Sequence, residues 1–338
     1  MTTVLDALNA ALHRACAADG RVVILGEDVL DPYGGAFKVT RGLSSAYPER
    51  VHTTPISEAS IVGVGAGMAL RGLRPVVEIM FGDFITLAAD QLVNHAAKFR
   101  WMYNDQVRVP LVVRTPMGGR RGYGPTHSQT LEKLFLGVPG LRVLAPAALG
   151  DPGELLFRAI RETEDPLLFV ENKLLYLQPV LDAASLGEFT LGIHAQGERP
   201  TAPAYSLTIQ GAPPPTLTIA AYGYMAELAR QAMLRLAYED EIFAELVVPT
   251  QLAPCELQPI IDSAAHTGRL LTVEEGTLSL GWGSEVLARG SEALGDRLVS
   301  ARRLAAAEVP VPASGPLEAA ALPGVEEIVQ AARLLMVR

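Results

Sequence analysis

The chain has 338 residues, a length that suits one large domain or two domains of ordinary size. Hydrophobic residues make up 49% of the chain and charged residues only 19%, so much of it must be buried in a core or against another subunit. A formal net charge of -9 argues against a groove for nucleic acid or an affinity for anionic membranes.

The amino terminus and the cysteines favour an ordinary cytoplasmic protein. Residues 1–8 carry an early acid and lack the basic region that opens a signal peptide. No apolar run approaches the ~18 residues of a membrane span. Cys16 and Cys255 form no Cys-x-x-Cys pair, so neither a disulfide framework nor a zinc site is indicated. We therefore expect a cytoplasmic protein that binds neither nucleic acid nor membrane.

Strands and helices alternate along the first half of the chain, which is typical of parallel α/β layers. Apolar residues at helical spacing from Val4 to Ala15 predict a first helix, which ends at Asp19-Gly20. Apolar runs then predict buried strands at 21–26, 75–80, 109–114, 141–144 and 167–170, with helices at 84–99 and 154–162. Residues 117–127 follow no periodicity and are predicted to form a long loop.

The second half repeats the alternation after a stretch rich in proline and glycine. We interpret residues 178–216 as a connector with one hairpin, because an ordered loop this long is unusual inside one domain. Strands are then predicted at 217–221, 242–248 and 269–273, and helices at 225–238, 257–266, 282–294 and 325–335. The expected fold class is α/β, with two three-layer α/β/α domains at 1–177 and 217–338.

A single carboxylate, Glu58, is predicted to lie at the start of an apolar, glycine-rich helix. Ser57 suits the N-cap position, and Glu58 in the first turn suits the positive end of the helix dipole. The glycines that follow do not match the Gly-x-Gly-x-x-Gly spacing of a dinucleotide site. Their small size instead favours close packing of this helix against a neighbour, and we expect that neighbour to be another subunit.

His127 is the second candidate, in the loop that follows the strand predicted at 109–114. Open α/β sheets bind ligands at the carboxyl ends of their strands, so an imidazole in this loop is well placed for function. A loop histidine without a role is the alternative. A Ser-His hydrolase is not supported, since the chain has no Gly-x-Ser-x-Gly elbow. The six histidines are also scattered without the spacing of metal ligands.

These candidates belong to a larger set of short motifs that occur in one order along the chain. The set is Thr54-Pro55-Ile56-Ser57-Glu58, Gly72-Leu73-Arg74-Pro75, Asp83-Phe84, Asp90-Gln91, His127-Ser128-Gln129, Pro139-Gly140-Leu141, Glu171-Asn172-Lys173, Thr267-Gly268-Arg269-Leu270, Val273-Glu274-Glu275-Gly276 and Val309-Pro310-Val311-Pro312. It closely resembles the beta subunit of the thiamine-diphosphate-dependent 2-oxoacid dehydrogenase first component, of the pyruvate and branched-chain type. The likeness covers nearly the whole chain and weakens across 178–216. It implies a transketolase-like pyrimidine-binding domain followed by a transketolase C-terminal-like domain.

The resemblance also implies roles for individual residues. Glu58 would bond to N1′ of the cofactor's aminopyrimidine and favour the tautomer that removes the thiazolium proton. Ile56, Met80 and Phe84 match positions that line the pyrimidine pocket, where apolar and aromatic surfaces hold the ring. His127 matches the family's active-site histidine, which acts in proton transfer or in acyl passage to lipoamide.

Metals and a partner subunit follow from the same resemblance. A potassium site that some members form largely from backbone carbonyls falls near Leu111, Ala159, Ile160, Glu162 and Asp165, although one extra residue before Pro166 disturbs the match. The chain has no Gly-Asp-Gly followed by the Asn that holds magnesium and diphosphate. In the family that half of the site lies on an alpha subunit. The resemblance therefore implies an α2β2 heterotetramer whose cofactor spans two chains.

The implied activity is decarboxylation of a 2-oxo acid and transfer of the acyl group to lipoamide on an acyltransferase core. Two alternatives are an acetoin-cleaving or carboligating paralogue in specialised metabolism and a non-catalytic scaffold subunit. The presence of both Glu58 and His127 argues against the scaffold. Two departures from the family pattern stand out: Gly137 replaces a frequent histidine, and Arg120-Arg121 replaces small residues. Those arginines either attract an acidic substrate or face solvent.

Overall fold

The computed structural model describes residues 2–194 and 202–337, so part of the predicted connector lies outside the described residues. Its strands are β1 (Val22–Gly26), β2 (Val51–Thr53), β3 (Arg74–Glu78), β4 (Val112–Met117), β5 (Arg142–Leu144), β6 (Leu167–Asn172), β7 (Phe189–His194), β8 (Ala204–Ile209), β9 (Leu217–Ala221), β10 (Ala244–Pro249), β11 (Gln251–Ala253), β12 (Arg269–Thr277) and β13 (Ser300–Ala306). Its α-helices are α1 (Val4–Ala18), α2 (Leu43–Ala46), α3 (Glu58–Leu70), α4 (Ala97–Met102), α5 (Pro152–Glu162), α6 (Gly223–Asp240), α7 (Gln258–Thr267), α8 (Trp282–Leu294), α9 (Gly315–Ala321) and α10 (Val325–Met336).

The strands form two open sheets with helices on both faces, which confirms the predicted α/β class. The first sheet has the order β11-β5-β6-β4-β3-β1-β2, and all its pairs are parallel except β11 with β5. The second has the order β13-β12-β9-β10-β8-β7, in which β8 and β7 add an antiparallel edge. Parallel strands are buried on both faces, which explains their continuous apolar sequences.

Alternate residues of the first sheet face two separate cores. One face packs against α1 and α5, and the other packs against α3 and the segment from 82 to 102. The second sheet packs one face against α6 and α10 and the other against α7 and α8. The core that contains α3 continues into α7 and α8, so the two sheets share buried apolar side chains. This shared core fixes the second unit beside the carboxyl edge of the first sheet.

The structure adds detail to the sequence-based expectation at several places. The helix predicted at 84–99 is divided into a 3-10 segment at Gly82–Ala88, a π segment at Gln91–Ala96 and then α4. The 3-10 segment passes close to β4, where a Cβ on Gly82 would collide with Met117. The hairpin predicted inside 178–216 is β7–β8, and it extends the second sheet. β11 crosses over to pair with β5 of the first sheet.

Among the described helices, none combines the length and the apolar character that a bilayer crossing requires.

Candidate functional site

The sequence-predicted site residues gather at the carboxyl edge of the first sheet. Because β2, β1, β3 and β4 are parallel neighbours, the loops that follow them leave the sheet on the same side. Glu58 begins α3 after β2, Met80 and Phe84 follow β3, and His127 lies in the loop after β4. One further acid, Glu27, directly follows β1. The strand order therefore brings together residues that are far apart in sequence.

Two carboxylates lie together at this edge. Glu58 is only 6% exposed, and Glu27 is buried with one carboxylate oxygen, Oε1, that has no hydrogen-bond partner among the described residues. Burial, followed by the neighbouring charges of Glu58 and Asp28, raises the pKa of Glu27. Ser57 is the N-cap residue of α3, but its hydroxyl donates to Ser60 and does not cap the helix. The backbone N–H of Ser57 donates to the carboxylate of Glu27, which links the start of α3 to the second acid and opposes the rise in its pKa.

Sequence analysis missed Glu27 as a site residue. The available signal was its position immediately after a fully buried strand, where the sheet's ligand-binding edge begins. Nothing in the sequence separation of Glu27 and Glu58 indicates that they are neighbours. The parallel pairing of β1 with β2 places them side by side.

Aromatic rings surround His127. Its imidazole meets Phe81 and Phe84 edge to face, with ring centroids 4.8 and 5.2 Å apart and interplanar angles of 80°. The hydroxyl of Thr126 lies 3.0 Å from Nδ1 of His127. Phe84 and Met80 are half-buried, so both retain accessible surface at the site. The structure thus joins Phe84 to His127 and adds Phe81, which the sequence analysis did not select.

Ile56 does not line a pocket within this chain, because its side chain is 83% exposed. Val64 on α3 and Leu87 on the 82–88 segment are also exposed. These two elements pack against each other, so apolar side chains remain uncovered beside the buried Glu58. Exposed apolar surface of this kind is typical of contact with another protein. The predicted role of Ile56 therefore applies only across an interface.

Carboxylates of the second unit hold the loop that leads to His127. Glu275 accepts a hydrogen bond from the backbone N–H of Gly119 at 2.6 Å. Glu318 accepts from the N–H groups of Arg120 at 2.7 Å and Gly122 at 3.1 Å. Hydrogen bonds to charged acceptors are the strong ones, so this loop depends on the second unit for its conformation.

The two arginines of the loop are already engaged. The guanidinium of Arg120 is half-buried and donates to the carbonyl of Pro323 in the second unit. Arg121 is exposed and donates to the carbonyl of Lys173 at 3.3 Å. Arg120 is therefore held against the second unit. At Gly137 an added Cβ would meet no atom within 4 Å, so the chain itself does not require glycine there.

A buried ionic network crosses the sheet just below this edge. Arg114 of β4 donates from Nε and Nη2 to Glu171 of β6 at 2.7 and 2.8 Å, and from Nη1 to Glu78 of β3 at 2.8 Å. The hydroxyl of Tyr176 donates to Glu171 at 2.5 Å. Burial by itself would lower the pKa of Arg114, but the two carboxylates outweigh it and the pKa is raised. The network links the side chains of three neighbouring strands, β3, β4 and β6, near the ends from which loops of the site leave the sheet.

Glu274 is a second buried acid, at the contact between the two units. It is 1% exposed, its Oε1 accepts from the backbone N–H of Gly283 at 2.9 Å, and burial together with the charge of Glu132 raises its pKa to about 7. A raised carboxyl pKa means that the folded chain binds more protons than the unfolded chain. Protonation of Glu274 therefore stabilises the fold fully below pH 4.5, and this stabilisation is lost as the pH rises through about 7.

We expect Glu274→Gln to remove this dependence on pH. Between pH 5 and pH 8 the wild-type chain should lose up to about 3 kcal/mol of unfolding free energy that the variant retains. The measurement is the melting temperature of both proteins across that range. Glu285→Gln, at an exposed position on α8, is the matched control and should follow the wild type. Parallel pH profiles of wild type and Glu274→Gln would contradict the assignment.

Three of the five residues predicted to hold potassium already bond to other groups. Nη1 of the buried Arg74 donates to the carbonyl oxygens of Ile160 and Thr163, both at 2.9 Å. A cation at Ile160 would therefore face the positive charge of the guanidinium. Ala159 is buried within α5, and Glu162 is exposed at the end of that helix.

The other two residues of that prediction are also engaged. The carbonyl of Leu111 accepts from the N–H of Leu167 at 2.8 Å, as part of the sheet. The carboxylate of Asp165 pairs with Arg100 at 2.9 and 3.0 Å. These contacts do not fit a potassium ion held by the five residues. The positive charge beside the carbonyl of Ile160 is the guanidinium of Arg74, a residue that the sequence singled out only as part of a motif.

Comparison with known proteins agrees with the fold. The model of the transketolase pyrimidine binding domain matches residues 1–178, and that of the transketolase C-terminal domain matches residues 210–328. The solved structure of an inactive beta4 tetramer of a split-gene transketolase superposes with a TM-score of 0.74 at 21% identity, covering 100% of this chain and 99% of that one. This likeness concerns the fold.

Curated relatives are similar over nearly their whole length. The chain is 40% identical to the pyruvate dehydrogenase E1 component subunit beta-1 of Arabidopsis thaliana, over 98% of this chain and 88% of that one. It is 38% identical to the 2-oxoisovalerate dehydrogenase subunit beta of Bacillus subtilis, over 90% and 89%. It is 33% identical to an acetoin:dichlorophenolindophenol oxidoreductase subunit beta of Cupriavidus necator, over 98% and 96%. The chain therefore belongs to the transketolase-like family of dehydrogenase E1 beta subunits.

Proposed function

We propose that this chain is the beta subunit of a thiamine-diphosphate-dependent 2-oxoacid dehydrogenase. The complete enzyme decarboxylates a 2-oxo acid and passes the acyl group to lipoamide. The observation that carries the proposal is the buried Glu58 at the carboxyl edge of the first sheet, together with His127 in the loop after β4. The names of the relatives, all dehydrogenase or oxidoreductase beta subunits, support it.

The residues at this edge fit an aminopyrimidine ring. Such a ring needs a carboxylate for its nitrogen and apolar surface for its faces, and Glu58, Met80 and Phe84 provide these. Oε1 of Glu27 has no hydrogen-bond partner among the described residues, so a carboxylate oxygen beside Glu58 is available to accept a hydrogen bond from a ligand. When bound, thiamine diphosphate supplies the nucleophilic carbon and the electron sink that decarboxylation of a 2-oxo acid requires.

The chain's own residues hold and move protons. Glu58 holds the proton at the ring nitrogen, and its burial keeps water from competing for that contact. The hydroxyl of Thr126 is hydrogen-bonded to Nδ1 of His127. The other ring nitrogen, Nε2, is therefore the one that exchanges a proton with the substrate. Phe81 and Phe84 fix the plane of the imidazole through their edge-to-face contacts. In this proposal Glu58 and His127 are the catalytic residues.

An alpha subunit completes the site in this proposal, as an α2β2 heterotetramer. The exposed Ile56, Val64 and Leu87 beside Glu58 support a protein partner at this edge. The partner would hold magnesium and diphosphate, because the chain lacks the Gly-Asp-Gly motif and its asparagine. Docking to a lipoyl acyltransferase core and a cytoplasmic location belong to the same proposal.

Co-expression with an alpha-type subunit from the same source tests the proposal. We expect a heterotetramer that binds thiamine diphosphate with magnesium and decarboxylates a 2-oxo acid in the presence of an artificial electron acceptor. Either subunit alone should lack this turnover, because each provides only part of the cofactor site. Full activity of the isolated beta chain would contradict a shared site.

Acetoin cleavage is the second candidate, because one of the relatives is named as an acetoin oxidoreductase subunit. The same complex should therefore be assayed with pyruvate, branched-chain 2-oxo acids and acetoin in parallel. Turnover of acetoin alone would select that function, and turnover of a 2-oxo acid would select the first. A complex that binds the cofactor but turns over none of these compounds would favour the scaffold alternative.

A further inference from the structure

A lysine is buried directly behind the loop that carries His127. Lys173 follows β6, and its side chain is fully buried, with 0% exposure. Its Nζ donates to the carbonyl oxygen of His127 at 2.6 Å. In the described part of the chain no carboxylate forms an ion pair with it, so one backbone carbonyl is its direct partner. A buried ammonium without a paired carboxylate is costly, which calls for an explanation.

The contact with Lys173 is one of two contacts with charged side chains that hold the segment 127–129. At the other end Asp83 accepts hydrogen bonds from Gln129, from the backbone N at 3.2 Å and from Nε2 at 2.9 Å. Lys173 is itself held to the end of β4, because its backbone N–H donates to the carbonyl of Met117 at 3.1 Å. The His127 backbone is therefore clamped between β6 and the segment after β3.

The walls around the ammonium also belong to the candidate site. Nζ of Lys173 lies 5.2 Å from the ring centroid of Phe81 and 5.8 Å from that of Tyr123. Phe81 is also one of the two rings that contact the His127 imidazole. Lys173 thus contacts the main chain of His127 and one of the rings that set its side-chain plane. A substitution of Lys173 would therefore affect both the backbone position of His127 and the orientation of its imidazole.

Burial lowers the pKa of Lys173 to about 8; the charges of Asp83, Glu275 and Glu318 oppose this effect and that of Arg121 adds to it. The folded chain therefore binds this proton less tightly than the unfolded chain. The resulting loss of stability is fully present below about pH 8 and disappears as the pH rises toward 10.5. A group that weakens the fold near neutral pH and lies beside a candidate catalytic residue is typical of a functional site.

We propose that Lys173 is a positioning residue that fixes the carbonyl oxygen of His127 and thereby aims the imidazole at the substrate. The proposal rests on the function proposed above for His127. It assigns to Lys173 no contact with substrate or cofactor. Its ammonium acts through the loop backbone, at the point where the chain turns from His127 toward Gln129.

The test compares Lys173→Met, which keeps the length and removes the donor, with Lys173→Arg, which keeps a donor. Hydrogen–deuterium exchange of the full-length chain should show faster exchange of residues 118–130 in Lys173→Met and near-normal exchange in Lys173→Arg. In the co-expressed complex, kcat of Lys173→Met should fall by roughly 10- to 100-fold with KM for the 2-oxo acid little changed, because a small displacement of a catalytic group has effects of this size. Its melting temperature should stay the same or rise.

Lys38→Met is the matched control, because Lys38 also donates to a backbone carbonyl, that of Tyr33 at 2.6 Å, but from an exposed position. It should change neither exchange at 118–130 nor kcat. Unchanged loop exchange and kcat in Lys173→Met would overturn the proposal. So would a lower melting temperature with faster exchange throughout the chain, which is the result for a purely structural lysine. The exchange measurement needs no turnover, so it decides the contact even if the proposed function fails.

Discussion

Glu58→Gln in the complex with the alpha subunit is expected to lower kcat by at least roughly 100-fold, the usual contribution of a positioned proton-transfer group. The amide keeps the shape of the side chain but carries no negative charge and cannot share a proton with the ring nitrogen. The cofactor should still bind, more weakly, because its magnesium and diphosphate contacts lie on the partner in the proposed assembly. Turnover with an artificial electron acceptor and calorimetric binding of thiamine diphosphate measure the two effects separately.

The same substitution should leave the fold intact. Removing a negative charge at the first residue of α3 loses a favourable interaction with the helix dipole, of about 0.3–1 kcal/mol. Removing it also relieves repulsion of Glu27, whose pKa is raised in part by Glu58. These effects oppose each other, so the melting temperature should change little. Glu49→Gln, at an exposed position, is the control for both assays. If Glu58→Gln kept turnover within tenfold of wild type, Glu58 would not be the catalytic acid.

Arg114→Met should give a large loss of stability. Arg114 is 2% exposed and is hydrogen-bonded to Glu78 and Glu171, so its removal leaves two buried carboxylates without a counter-charge. Removing one partner of a buried ion pair typically costs about 3–5 kcal/mol, a large fraction of the roughly 5–15 kcal/mol by which native proteins are stable. We expect a melting temperature lower by many degrees, or an insoluble chain, when the variant is compared with wild type at pH 7.

Two further variants separate charge from packing. Arg114→Met combined with Glu78→Gln and Glu171→Gln should recover part of the lost stability, because the uncompensated charges are gone. Arg235→Met removes an exposed arginine that pairs with Glu239 and Glu326, and it should change the melting temperature little. A single Arg114→Met variant as stable as wild type would show that the network contributes nothing.

The regular elements could largely be predicted, because strands buried on both faces leave continuous apolar runs. β9 and α8 have the bounds that the sequence predicted, 217–221 and 282–294. β2 and β11 escaped prediction because three residues carry no period, and they exist only through pairing with β1 and β5. The helix expected at 84–99 failed because its first turns pack so closely against β4 that they adopt 3-10 geometry.

The sequence predicted individual residues of the candidate site, but not which of them lie together. His127 follows a predicted strand and Glu58 begins a predicted helix, and the motifs around them point to one family, which the comparisons confirm. The role of Ile56 in a pyrimidine pocket stays a prediction, and neither its apolar character nor its place beside Glu58 shows that it is exposed in this chain. The potassium residues did not fit, because a motif match cannot show that Arg74 already bonds to the carbonyl of Ile160.

By itself the sequence determined the fold class, the family and most of the strand ends at which the chemistry-bearing residues lie. Only the tertiary structure decided which of them touch: Glu27 beside Glu58, Lys173 behind His127, and Glu275 on the loop from the second unit. The physical reason is that these contacts depend on strand order and parallel register. Strand order is set by the packing of two complete layers of helices, and no local pattern of residues along the chain encodes it.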